Sequence, residues 1–213
     1  MTRGDVKRPR GGLADKRRAI LAGALVRFAR DGYVRAGMDA IAAEAGVSTR
    51  TIYNHFRGKA ELFAAVIEDS AAGVADAEIA LVDRHLGKIV DLPGDLFEFG
   101  VARSRPLTGF ADHFALVRQI NAEVEHIPSE AIEAWQRLGP LRVREAVADR
   151  LRQWVDRGLI HTEDPERSAL HLMLLVSVQN PSMPWEHPSE EDLAASVTAG
   201  VRTFLHGHAP STA

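Results

Sequence analysis

Apolar residues recur along this chain at three- and four-residue intervals from near one end to the other, with no strand-like alternation between polar and apolar positions. From Asp15, Ile20, Ala24 and Phe28 form one i, i+4, i+8 row, with Leu21, Leu25 and Ala29 beside it. This predicts a helix closed at Asp31-Gly32, where Gly32 suits a left-handed cap. A second helix is expected from about Met38 to Ala45, with Ile41, Ala42 and Ala45 on one face. Gly46 stops it by supplying a positive φ, Val47 turns inward, and Ser48 is placed to cap a third helix through the N–H of Arg50 or Thr51. Ile52 and Phe56 fall on the buried side of that helix. Gly58 makes the next break, and a long helix starts at Lys59 with Leu62, Phe63, Val66 and Ile67 as its core stripe.

The remainder reads as helices with short punctuated joints. Asp91-Leu-Pro-Gly reads as a turn before a helix from about Asp95, broken by "SRPLTG"; Phe110, Phe114, Val117 and Ile120 mark another, ended before Pro128. Ser129 is placed to cap the next, which holds Trp135. Pro140 opens a helix with Val143, Val147, Leu151 and Trp154, closed by Gly158. Asp164-Pro165 heads an apolar helix to about Gln179, "NPSMPWEHP" is a loop, and Ser189 with Asp192 resembles a capping box opening the last helix through Val197, Val201 and Leu205. The expected fold class is all-α.

Composition and charge narrow the chemistry. With no cysteine, a disulfide framework, a thiolate nucleophile and a zinc-thiolate site are all excluded, which suits a reducing cytoplasm. The basic N-terminus has no apolar stretch behind it and does not read as a secretion signal. The apolar run from Leu170 to Val178 is too short to cross a bilayer, so a soluble protein is expected. The net charge of −3 hides an asymmetry: residues 1–60 carry 13 Lys+Arg against 5 Asp+Glu, net +8, and residues 61–213 carry 13 against 24, net −11. A basic head on an acidic body suits a polyanionic partner for the head.

That partner explains one stretch. After the Gly46 turn, Thr49, Arg50, Thr51, Tyr53, Asn54 and His55 crowd together, too polar to bury and too varied for a mere solubilising face. Two helices joined by a tight Gly-containing turn, the second with exposed polar side chains, form a helix-turn-helix, whose second helix fits the DNA major groove.

The segment "AAEAGVSTRTIYNHFRGKAELF", preceded by a helix ending "FARDGY", closely resembles the DNA-binding domain of TetR-family transcriptional regulators over roughly residues 15–67. The resemblance rests on the turn Ala45-Gly46-Val47-Ser48, the aromatic pair Tyr53 and Phe56, and Lys59 at its offset. It implies base contacts from Thr49, Arg50 and Asn54, phosphate or sugar contacts from Thr51, Tyr53 and His55, and a further phosphate at Lys59, with Ser48 completing the DNA-binding set. Where the family usually has Thr or Ser before its second helix, this chain has Ala36-Gly37. The implied organisation is a flexible basic arm (1–14), a three-helix DNA-binding domain (15–58), a larger helical ligand-binding and dimerisation domain (59–206) and a disordered tail (207–213). The implied partners are a double-stranded DNA operator, a second copy forming a homodimer and a small-molecule effector, with no membrane.

Phe110, Phe114, Trp135 and Trp154 are either core or the lining of an effector pocket in the second domain. Met173, Val176, Val197, Val201 and Leu205 lie on apolar stripes that the resemblance assigns to a four-helix dimer interface. His113, Glu123, Glu125, His126, His161 and His171 lack the spacing of a metal motif and read as solvated or singly hydrogen-bonded; no metal or cofactor is expected. No nucleophile motif frames a catalytic set, so an enzyme is not expected. The reading is a ligand-responsive regulator, a repressor by preference. The rival is a helical small-molecule-binding or enzyme-like protein whose N-terminal module has another partner.

Overall fold

The computed structural model describes residues 12–177 and 188–209, and every regular element in them is helical. The expected basic arm, the loop "NPSMPWEHP" and the C-terminal tail lie largely outside the described residues. In chain order the elements are α1 (Leu13–Arg35), α2 (Met38–Glu44), α3 (Thr49–Tyr53), α4 (Lys59–Leu86), α5 (Leu92–Ser104), α6 (Ala111–Ala122), a 3-10 turn η1 (Val124–His126), α7 (Ser129–Leu138), α8 (Pro140–Asp156), α9 (Pro165–Leu175) and α10 (Glu190–Gly207). The chain divides into two compact units, Met1–Ser70 with Asp112–Ala134, and Ala71–Ala111 with Trp135–Ala213.

In the first unit, the rows predicted on α1 face inward: Ile20, Ala24 and Phe28 are fully buried, with Leu21 and Ala29 beside them. They close on Ile41 and Ala42 of α2, Ile52 of α3, Phe56, and Leu62, Phe63, Val66 and Ile67 of α4. Phe63 stands edge-on to Phe28 at 4.8 Å and lies 4.6 Å from Tyr33, an aromatic trio that adds directional contact to area burial. Gly32 breaks the helix with a positive φ, as expected, but with an extended ψ and without ending it. It adopts φ 78°, ψ 171°, a conformation close to glycine-only, and the chain then turns once more before α1 ends at Arg35.

The same unit takes in α6. Its buried stripe is His113, Leu116 and Ile120, whereas Phe110, Phe114 and Val117, expected on the core side together with Ile120, are half-buried. Of the two states expected for such a histidine, His113 takes the second: it is 6 % exposed and singly hydrogen-bonded, through Nδ1 to Ser70 Oγ at 2.7 Å.

The second unit is built around a core of Val82, Leu96, Phe99, Val147, Leu151, Trp154, Leu172, Val197 and Phe204, with α9 packed on α8 and α10 packed on α5 and α9. Helix starts follow the sequence signals. Asp164 accepts from Arg167 N–H at 2.9 Å ahead of Pro165, and Ser189 accepts from Asp192 N–H at 3.1 Å. Asp91-Leu-Pro-Gly is not a turn before the helix but its first turn: Asp91 caps Gly94 N–H at 3.1 Å, so α5 begins at Leu92. Ser129 is the first residue of α7 rather than its cap, and α9 ends at Leu175.

One assignment is corrected by burial. Val176, Val197 and Val201, expected at a dimer interface, are 1 %, 0 % and 5 % exposed within a single chain. Their stripes are consumed by packing among α5, α9 and α10, so they have no surface to offer a second copy. Met173 and Leu205 are half-buried against the same core. The large apolar side chains that α9 leaves outside are Leu170, Leu174 and Leu175, at 39 %, 63 % and 37 % exposure. Trp154 belongs to the core at 1 % exposure.

Candidate nucleic-acid interface

The polar stretch is presented by a tight piece of backbone. At the end of α2, Val47 N–H donates to Ala42 O at 3.0 Å and Gly46 N–H to Ala43 O at 3.2 Å, the paired bonds of a Schellman cap, with Gly46 at φ 64°. Ser48 then caps α3, its Oγ accepting from Thr51 N–H at 3.1 Å and sharing a 2.8 Å hydrogen bond with Thr51 Oγ1. Ile52 and Phe56 anchor this segment in the core, and the Arg17 guanidinium lies 5.5 Å from the centre of the Phe56 ring.

Anchoring one face of α3 leaves the other outside. Ser48, Arg50, Tyr53 and Asn54 are exposed, Tyr53 at 53 %, and Thr49, Thr51, His55 and Lys59 are half-buried. Thr49 Oγ1 donates to Asp39 Oδ1 at 2.7 Å, which ties α3 to α2 and fixes the hydroxyl proton inward, leaving oxygen lone pairs and a methyl for an outside contact. Among the described residues, Arg50, Arg57 and Lys59 enter no salt bridge, whereas Arg27 and Arg30 are paired with Asp31. Unpaired cations beside exposed amide and hydroxyl groups suit a surface of phosphates and base edges.

Lys59 is held rather than loose. Its Nζ donates to Val34 O at 2.9 Å and sits 4.9 Å from the Tyr33 ring centre. Burial lowers its pKa from the ordinary lysine value, and the nearby Glu123 charge pulls it back up. Two of its three donor hydrogens remain for another acceptor.

Three residues that position this surface had weak sequence signals. A Cβ on Gly23 of α1 would lie 2.7 Å from Ala45 N and 2.8 Å from Ala45 Cα, so only glycine lets the end of α2 approach so closely. A glycine inside an otherwise good helical pattern was the available hint. Asp39 and Glu123 act across gaps of 10 and 89 residues, which no local pattern announces. Gly37 is the N-cap of α2 and makes no side-chain cap bond, as its lack of a side chain requires.

Of the four aromatics expected near an effector, Phe114 belongs to the first unit and Phe110, Trp135 and Trp154 to the second. Phe110 lies against α4 at Gly73, and Gly139, beside the Trp135 indole nitrogen, lies against Ala71 of the same helix. Among the described residues, no group of three or more His, Asp or Glu is arranged to hold a metal ion, and no helix is long and apolar enough to cross a membrane.

The fold and this surface define a helix-turn-helix regulator, and family comparison makes the class specific. Residues 20–66 match the family of bacterial regulatory proteins called tetR, and residues 96–210 match the C-terminal domain of AefR-like transcriptional repressors. The chain belongs to the TetR family of DNA-binding transcriptional regulators. A crystal structure of a TetR-family transcriptional regulator from Mesorhizobium loti superimposes with a TM-score of 0.79 at 27 % identity, covering 92 % of this chain and 98 % of that one. The flavonoid-responsive regulator FrrA shares the fold, with a TM-score of 0.68 at 24 % identity over 93 % of this chain and 100 % of its own. The transcriptional activator FasR of Mycolicibacterium smegmatis is 45 % identical over 70 residues, a match spanning 29 % of this chain and 32 % of FasR.

Proposed function

We propose that the protein is a cytoplasmic, homodimeric repressor that binds a near-palindromic operator and is released by a small-molecule effector. The observation that carries this reading is the capped helix α3, which sets Ser48, Arg50, Tyr53 and Asn54 outward beside cations that, among the described residues, enter no salt bridge. In this reading, residues 15–58 form the DNA-binding domain and residues 59–206 serve the effector and the dimer. Arg50, Asn54 and Thr49 face base edges; Ser48, Thr51, Tyr53, His55 and Lys59 meet phosphates and sugars. Two copies related by a two-fold axis then read two half-sites. The described C-terminal match to a repressor domain supports repression as the sign of control.

The dimer contact falls to the outward side of α9 and α10, with Leu170, Leu174 and Leu175 on the first and Ala195 and Ala199 on the second. Phe110 and Trp135, both of the second unit, are the aromatic groups assigned to the effector. An effector that prefers the head spacing unfit for DNA shifts the population away from the operator-bound state, by no more than its differential affinity for the two. Selection from a random pool of labelled duplexes tests the whole reading. The expected outcome is enrichment of a symmetric sequence, and a pool that stays random sinks it.

A further inference from the structure

In the first unit the backbone of Val34 is gripped from both sides. Gly32, at φ 78° and ψ 171°, breaks the hydrogen-bond ladder of α1. The break aims Val34 N–H away from the helix, and Glu123 Oε2 accepts from it at 3.0 Å. On the other side of the same residue, Val34 O accepts from Lys59 Nζ at 2.9 Å. One residue of the α1 terminus thus links a carboxylate at the junction of α6 and η1 to the ammonium at the start of α4.

The backbone conformation at Gly32 disfavours any other residue, and a Cβ there would push the Glu123 carboxylate off Val34 N–H. Glu123 is itself fixed, its own N–H donating to Gln119 O at 2.9 Å as the last turn of α6 closes.

We propose that Glu123 is a positioning residue for DNA binding: by holding Val34 N–H at the Gly32 break, it fixes the root of the helix-turn-helix and the placement of Lys59 for a phosphate. The proposal rests on the DNA-binding reading above. Glu123 touches no DNA; it acts through Val34, Tyr33 and Lys59. Its contribution is preorganisation, since a head whose α1 terminus is loose must order that terminus when it docks. The same bond ties the segment Asp112–Ala134 directly to the DNA-binding helices.

The sign of the effect separates this role from plain electrostatics. Deleting an acidic side chain near a polyanion ordinarily tightens binding by removing repulsion. Positioning predicts the opposite for Glu123→Ala. Glu123→Gln removes the charge but keeps an oxygen that can accept from Val34 N–H, so it should bind as well as wild type or better.

The measurement is the affinity of the three full-length proteins for the duplex selected from the random pool, beside hydrogen exchange of the Val34 amide and thermal melting. The expected result is about a tenfold loss for Glu123→Ala, within the usual range of site-to-site coupling. Val34 exchange should be faster in that variant and near wild-type in Glu123→Gln, with melting cooperative in both. Glu123→Ala binding as tightly as wild type overturns the proposal, and so does an unchanged Val34 exchange rate. If Glu123→Ala fails to fold, the Gln variant decides: protected Val34 with retained affinity supports the clasp, and exposed Val34 with retained affinity overturns it. A wild-type protein that selects no duplex sinks the DNA-binding reading and this one with it. Selection by wild type with equal binding by Glu123→Ala sinks this one alone.

Discussion

The cations around α3 and the arginines of the second unit differ in their pairing, although Arg18, Arg27 and Arg30 on α1 are paired with Asp15 and Asp31. On the second, Arg142 pairs with Asp76, Arg150 with Asp83, Arg105 with Glu190, and Arg152 with Glu145, Asp149 and Glu166. On the head, Arg50, Arg57 and Lys59 have no carboxylate within salt-bridge distance among the described residues, although Asp39, Glu44 and Glu61 are nearby in sequence. Glu61 accepts from Arg57 N–H at 2.7 Å and Asp39 from Thr49, so these carboxylates serve backbone and hydroxyl donors instead. The difference shows where a partner is awaited. Exposed ion pairs contribute little stability, so pairing on the second unit chiefly suppresses its positive potential, while the unpaired Arg50, Arg57 and Lys59 keep the surface around α3 attractive to phosphate.

The units also differ in packing, and the largest predicted effect tests that difference. Val201, buried in the second unit, should not tolerate Val201→Asp: an unpaired carboxylate there costs on the order of 3–5 kcal/mol, much of a domain's stability. Circular dichroism should show lost helicity and a broadened melt. Leu174→Asp, at a site 63 % exposed, should keep helix content and melting while sedimentation shifts from dimer to monomer. A Val201→Asp protein that keeps its fold and merely dissociates would return that stripe to the dimer interface. A dimeric Leu174→Asp protein would place the interface off this face of α9.

Packing in the head depends on small residues, and two glycine variants should move its stability in opposite directions. Gly23→Ala puts a methyl 2.7–2.8 Å from the backbone of Ala45, which has no flexible end to yield, and should cost about 1–3 kcal/mol. Gly37→Ser should stabilise by about 1 kcal/mol, because Gly37 has the extended φ of −93° and ψ of 146° of an N-cap, and its Cβ position is open. Denaturant melts followed by amide exchange should confine both changes to the first unit. Equal loss across both units would contradict the division.

These cases show what the sequence makes legible. The turn between α2 and α3 was readable because its requirements are local: a positive φ at Gly46, an oxygen at Ser48 and apolar residues at Ile52 and Phe56 each leave a mark in one residue type. Helix order was readable for the same reason, from Asp164-Pro165 and Ser189. The destination of an apolar stripe was not. Val176, Val197 and Val201 have the periodicity of buried residues whether the covering surface is their own chain or a copy, and periodicity carries no address. His113 looked like any helical histidine until Ser70, 43 residues away, proved to face it. Polar links such as Glu123 to Val34 depend on the approach of distant helices.

On the interface itself the two cations should fail differently. Arg50→Ala should cost about 1–3 kcal/mol at one base position and relax specificity there. Lys59→Ala should weaken all duplexes alike and lower the salt slope by about 1, the signature of the phosphate contact proposed for it. Its loss also frees Val34 O, so a modest drop in melting temperature should accompany it. Affinities for single-base operator variants across a salt series provide the check. Identical profiles for the two variants would mean that Arg50 does not read a base.

The smallest expected effect concerns pH and belongs to the first unit. Burial of His113 on α6 lowers its imidazole pKa from the ordinary 6.5, and the ring is held by Ser70 at 2.7 Å. The folded protein therefore keeps this ring neutral at pH values where the unfolded chain has already protonated it. With the unfolded state binding more protons, stability rises with pH across the window from the lowered folded pKa up to 6.5 and is flat above it. Acidifying below 6.5 should thus weaken the fold by at most about 1.4 kcal/mol per pH unit, and the loss should stop once the folded form also takes the proton. Asp164, whose carboxyl is pulled down by the Arg167 backbone and side-chain hydrogen bonds from 3.8, acts only in a more acidic range and leaves this window clear. His113→Asn keeps a side-chain partner for Ser70 but cannot titrate, so urea melts of that variant between pH 7 and 5 should be flatter than wild type. Parallel profiles would mean that the ring protonates without leaving its place, and that the head's acid response comes from elsewhere.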